Sequence, residues 1–196
     1  MSMAQISRDS LWTLEHYARI RNQFRQEVIA HKRIRQVALG DHITLFFEDE
    51  KTIRYQIQEM LRIEKTFEET GIQDELDAYN PLIPDGRNFK CTMMIEYPNP
   101  EVRKTELAKL KGVEDRVWVQ VEGREKVFAI ADEDLDRENE EKTSSVHFMR
   151  FELDEDMAGA LKYGVGLAMG VDHPNYKVVV DPVAAETRAS LVRDLA

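Results

Sequence analysis

Residues 41–86 read DHITLFFEDEKTIRYQIQEMLRIEKTFEETGIQDELDAYNPLIPDG, and the fold turns on this stretch. It opens with a short strand, Ile43 to Glu48, rich in Phe, Ile and Leu. An acidic turn follows, then a helix pattern from Thr52 to Glu69. On a helical wheel Ile53, Ile57, Met60, Leu61, Ile63 and Phe67 make one apolar stripe, as a core-facing helix requires. Arg54, Gln58, Glu59, Arg62 and Lys65 take the other side, and Gly71 stands where a C′ residue would close the helix. Glu64 breaks the pattern, because it falls inside the stripe beside Ile57, Met60, Leu61 and Phe67. A carboxylate there must be paired, hydrogen-bonded or protonated, since bare burial of a charge is costly. An ion pair with an arginine from elsewhere is the simpler reading. A metal ligand or general base is the sharper one.

Working outward, Ser10 is placed to cap a long helix running to about Gln36, with Leu14, Tyr17, Ile20, Phe24 and Val28 on one face and His31 one turn further. After the central helix, Ile72 to Tyr79 reads as a second helical piece, and Asn80-Pro81 and Pro84-Asp85-Gly86 as turns. Phe89 to Tyr97 reads as a strand that faces Cys91 inward as a buried thiol. Asn99-Pro100-Glu101 starts a helix that ends near Lys111. Val117 to Val121 and Lys126 to Ala131 form a hairpin across Glu122–Glu125. Asp132 to Glu141 holds seven acids in ten residues and reads as a solvated loop without the EF-hand pattern. Ser145 to Leu153 is a strand with His147, Met149, Phe151 and Leu153 on one face and Arg150, a ready partner for Glu64, on the other. A short helix capped by Asp154, strands Val165–Val171 and Tyr176–Val180, and a helix opened by Asp181-Pro182 complete the chain.

Strands in hairpin order, with no regular β-α-β alternation, predict an α+β fold. The expected form is an antiparallel sheet or partly open barrel in the C-terminal two-thirds, with N-terminal helices packed on it. At 196 residues one domain is expected: a helical part over about 8–80, a mainly β part over about 88–181 and a C-terminal helix over about 182–195.

The net charge of −10 is uneven, because residues 1–40 carry seven basic against three acidic residues, +4, and the remainder −14. An acidic body argues against nucleic acid as the main partner. No apolar run approaches a membrane span, and MSMAQISRDSLW lacks the apolar core of a secretory signal. The single Cys91 excludes an intrachain disulfide, so a reducing cytoplasm is the expected location.

Nucleotide loops, HExxH, GxSxG and Glu-x-x-His pairs are absent from the sequence. The residues able to hold a transition metal are His31, His42, Glu48, Glu64 and His147, a dispersed set of imidazoles and carboxylates that would have to converge. His173 in its turn, and the Glu59–Arg62 pair, read as structural.

The segments RDSLWTLE, GDHITLFFED, YQIQEMLRIEKTFE, GIQDELDAYNPLIPDG, VEDRVWVQVEG, IADEDLDRE, KTSSVHFMRFEL and GVDHPNY together resemble a bacterial family of unknown function, nearly end to end. The resemblance implies a setting beside a rubrerythrin-like protein and an iron–sulfur oxidoreductase. It therefore implies an accessory role in redox or peroxide metabolism, with such proteins as partners. It supplies no catalytic residues. Two expectations follow: a non-catalytic partner of redox proteins, or a metal-dependent enzyme with a His/Glu site.

Overall fold

The structure, a computed structural model, describes residues 5–133 and 142–196. Among them the fold is α+β, with six α-helices and nine antiparallel strands in two sheets.

A 3-10 turn at Arg8–Ser10 comes first, and the long helix α1 (Leu14–Arg33) starts later than the sequence suggests, capped by Thr13 and not Ser10. The helix stops at Arg33, and Gln36–Leu39 forms β1, a strand not foreseen, antiparallel to β2 (Ile43–Phe47). Helix α2 (Glu50–Glu64) begins with a reciprocal cap, in which Asp49 accepts from the Thr52 N–H and Thr52 accepts from the Asp49 N–H. Ile53, Ile57 and Leu61 are buried as expected. The stripe ends there. Lys65 takes the left-handed conformation at φ 55° and closes the helix six residues before Gly71, which lies within α3 (Glu69–Tyr79). Ile63 and Phe67 are therefore 61% and 62% exposed, and Glu64 is exposed with them. Glu64 needs no buried partner, and Arg150 pairs instead with Glu133 and Glu152.

The first sheet runs β1-β2-β3-β7-β6, with β3 at Asn88–Ile95, β7 at Val146–Glu152 and β6 at Ile130–Ala131. The second runs β5-β4-β8-β9, with β4 at Val117–Val121, β5 at Lys126–Phe128, β8 at Leu167–His173 and β9 at Tyr176–Val180. One core joins them. Leu45, Phe47, Phe89, Met93 and Phe151 from the first sheet share it with Val117, Val119, Leu167, Met169 and Val171 from the second. This follows from strict alternation, as in β2 where every second residue is buried. The antiparallel strands thus form two open, stacked sheets. The single strand expected over Lys126–Ala131 is broken at Ala129: β5 pairs with β4, β6 pairs with β7, and the chain changes sheet between them. Helix α4 (Pro100–Lys109) is capped by Asn99 as expected, and α5 is Glu155–Lys162. The last helix, α6 (Ala185–Val192), starts after the cis Asp181–Pro182 bond and is not capped by Asp181.

Two charged groups tie the helices to this core. Arg35, 2% exposed at the α1–β1 turn, donates to the carbonyls of Phe47 (3.1 Å), Glu48 (3.0 Å) and Ser190 (3.2 Å), to Ser190 Oγ (3.2 Å), and to Asp194 Oδ2 (2.6 Å). Burial pushes the Asp194 carboxyl up to about 6 against the opposing pull of Arg35. Such a pair specifies an arrangement more than it adds net stability, and losing one member leaves a buried charge uncompensated. Glu59 gathers α1 onto α2 through Arg21 (2.7 Å) and the Tyr17 hydroxyl (2.8 Å), and also pairs with Arg62 one turn along its own helix. Glu59 is half-buried, and the Glu59–Arg62 pair read from its spacing is present as a structural contact. Its Arg21 hydrogen bond, opposed by burial and helped by Arg62 and Tyr17, holds its carboxyl down at about 2 from 4.5.

Arg35→Met is expected to lower unfolding stability in urea by about 3–5 kcal/mol, and an Arg35→Met/Asp194→Leu double variant to recover part of that loss. A double variant no better than the single one would show that the pair is not the unit. A folded pKa below the unfolded one stabilises above the unfolded pKa and is lost as pH falls through the folded value. Glu59→Gln should therefore cost about 2–3 kcal/mol at pH 7, and its stability should converge with wild type between about pH 4.5 and 2. A pH-independent gap would assign the loss to packing.

Candidate metal centre and adjoining cavity

His147 is the residue around which a site is built. Its strand alternates His147, Met149 and Phe151 inward, opposite Met93, Cys91 and Phe89 of β3, and its side chain is 0% exposed. The expectation that it points with an apolar set holds. Its polar partners come from three other segments. Asp132, just past β6, adopts the left-handed conformation at φ 51°, which is uncommon outside glycine. The Asp132 N–H donates to Phe148 O (2.8 Å), its Oδ1 accepts from the Phe148 N–H (2.9 Å), and its Oδ2 lies 2.5 Å from His147 Nδ1. On the far side of the ring, Nε2 is 3.0 Å from Ser144 O, 3.0 Å from Thr143 Oγ1 and 4.0 Å from Glu114 Oε2. Glu114, brought in by the 3-10 turn Glu114–Arg116 ahead of β4, accepts from the Thr143 hydroxyl at 3.2 Å.

Hydroxyl, imidazole and carboxylate stand here in the order of a nucleophile, base and orienting acid. Thr143 is 1% exposed, however, so a substrate carbonyl has no approach to its oxygen. The arrangement suits an ion better. Ligand atoms of Glu114, Asp132 and His147 lie within 4.8 Å of one another, the one such group among the described residues. One imidazole nitrogen and two carboxylate oxygens are donors that a borderline divalent cation takes; because Asp132 faces Nδ1 and Glu114 faces Nε2, one carboxylate must swing to the nitrogen that holds the ion. Ligation would displace a ring proton, as metal binding to histidine requires.

Of the five sequence candidates, His147 alone belongs to this group. His31 Nε2 meets Asp49 Oδ2 at 2.5 Å, and Glu48 accepts from Thr52 (2.5 Å) and Thr92 (3.0 Å). His42 stacks on Tyr97 with its Nδ1 3.0 Å from Glu96 O. Glu64 is on the surface. Glu114 and Thr143 were missed, and Asp132 was read only as part of an acidic run whose residues 134–141 lie outside the described ones. His173 is structural as expected, with its Nε2 2.9 Å from Lys111 O.

A cavity of about 550 Å³ adjoins the group, between the end of α3 with its following turn and the outer face of the first sheet. Glu48, Tyr79, Lys90, Asp132, Phe148 and Arg150 are among its walls, so Asp132 belongs to both features. Cys91 also borders it but is 2% exposed, and burial pushes its thiol well up, as befits an inert core cysteine.

Fold and site define the class: an α+β protein of two stacked antiparallel sheets with a buried carboxylate–histidine group beside an open cavity. The chain belongs to the family described as protein of unknown function DUF3501, whose model matches residues 5–195. It is similar to a crystal structure of a novel protein of unknown function from Burkholderia pseudomallei K96243, at 54% identity, covering 98% of this chain and 100% of that one, with a TM-score of 0.93. No curated protein matches the chain. No helix among the described residues is long and apolar enough to cross a membrane.

Proposed function

We propose that this protein is a metal-binding accessory protein that holds one divalent transition-metal ion on Glu114, Asp132 and His147. The observation that carries the reading is the convergence of these three side chains from β7, the end of β6 and the turn before β4. The left-handed backbone of Asp132 supports it, because such a conformation persists at functional sites where the surroundings impose it. Equilibrium dialysis of EDTA-treated protein against Mn²⁺, Zn²⁺ and, without oxygen, Fe²⁺ should give close to one ion per chain for at least one metal. His147→Ala and Asp132→Asn should each weaken it by roughly ten- to a hundredfold while circular dichroism stays unchanged. Undiminished binding in both folded variants would place the metal elsewhere and end the reading.

The cytoplasmic redox setting implied by the family resemblance supplies a second element, docking on a rubrerythrin-like or iron–sulfur protein. The exposed Ile63 and Phe67 favour it, and Phe67 borders a crevice also lined by Leu11, Trp12, Leu61 and Ile72. Pull-down of such a partner should be lost in an Ile63→Glu/Phe67→Glu variant. Retention of the partner by that variant would remove this surface from the account.

A further inference from the structure

We infer that the cavity under α3 is a binding site for a small zwitterion, an amino acid or short peptide with an apolar side chain. The inference rests on which charges lining the cavity are already matched. Lys90 and Arg150 stand directly opposite each other on β3 and β7, and the Glu48 N–H donates to Lys90 O, so Glu48, Lys90 and Arg150 form one row across the sheet. Arg150 is occupied: its Nε and Nη2 bind Glu133 (2.7 and 2.9 Å) and its Nη1 binds Glu152 (2.5 Å). Asp132 is occupied by His147 and the Phe148 amide.

Two charges remain. The Lys90 ammonium donates to Pro81 O at 2.6 Å and has no carboxylate within 4.0 Å among the described residues, which leaves two of its three donors open. The Glu48 carboxylate accepts only from the hydroxyls of Thr52 and Thr92, with no cation within 4.0 Å among the described residues and lone pairs to spare. The two are neighbours across the sheet yet do not pair, because Lys90 reaches up to the turn that roofs the cavity. A bare anion placed at Lys90 is opposed by Glu48, and a bare cation at Glu48 is opposed by Lys90. A molecule carrying both charges is matched at each end. Tyr79, Leu82, Ile130 and Phe148 offer the apolar wall that its side chain would cover, and the volume of about 550 Å³ falls in the range of small-molecule sites.

The inference is independent of the metal proposal, so the test uses the full chain treated with EDTA. Calorimetric titration compares L-leucine, L-phenylalanine and leucyl-leucine with two half-ligands, 4-methylpentanoate without the amine and 3-methylbutylamine without the acid. At least one zwitterion should bind roughly tenfold or more tightly than either half-ligand, and whether the amino acid or the dipeptide is favoured reports the span of the site. Lys90→Met and Glu48→Gln should each weaken that binding roughly tenfold or more. Both positions are partly exposed, so the variants should fold; Lys90→Gln serves if Lys90→Met does not. The Ile130 methyl resonances, at the cavity wall, should shift in the wild type on saturation. No binding of any zwitterion at millimolar concentration would overturn the inference. Equal binding of a half-ligand, or unaffected binding in folded variants, would overturn it as well.

Discussion

A guanidinium with no access to water must find acceptors for its donors, and Arg35 meets that constraint by drawing four parts of the chain to one point. The end of β2 offers two carbonyls, α6 offers Ser190, and the segment after it offers Asp194. Asp49, the cap of α2, lies 3.5 Å from Arg35 and also holds His31 of α1. Burial, the largest single influence, pushes the Asp49 carboxyl up, but the His31 hydrogen bond, the Coulombic pull of Arg35 and the Thr52 cap amide together lower it. The direction in which α2 leaves the sheet is thereby fixed. So is the placement of α3 and the turn after it, which roof the cavity.

The candidate centre depends on a second constraint, the change of sheet at Ala129. A continuous strand would carry residues 130–132 along β4. The break turns them onto β7, where the double hydrogen bond between Asp132 and Phe148 sets the carboxylate against the imidazole. The same crossing closes one end of the cavity with Ile130, Asp132 and Glu133. Site and cavity are thus two outcomes of one bend in the chain, on opposite faces of the first sheet.

Much of the architecture was legible in the sequence because it rests on local rules. The alternation in β3 and β7, the caps at Asn99 and Asp154 and the Ile53–Ile57–Leu61 stripe all appear where pattern and capping place them. Glu64 shows where pattern misleads: a helical wheel extends a stripe indefinitely, whereas the left-handed Lys65 ends the helix and leaves Ile63, Glu64 and Phe67 on the surface. The centre was legible only at His147, whose inward position follows from alternation. Its partners were hidden because Glu114 and Asp132 sit in acid-rich segments where composition says only that a residue is charged. Their selection comes from strand pairing between segments far apart in the chain, which no local spacing encodes. The open charges at Glu48 and Lys90 were hidden for the same reason, since an unmatched charge is visible only once every neighbour is placed.

The proposed metal ion rests on His147, Asp132 and Glu114. Crystals grown with the metal that dialysis selects, measured on both sides of its absorption edge, test it most directly. An anomalous peak within about 2.0–2.3 Å of a His147 ring nitrogen and of oxygens from both carboxylates is the expected result. A peak at any other position, or native contacts between His147 and Asp132 at full metal loading with no peak between them, would contradict it and leave the group as a buried ion pair that secures β6 to β7.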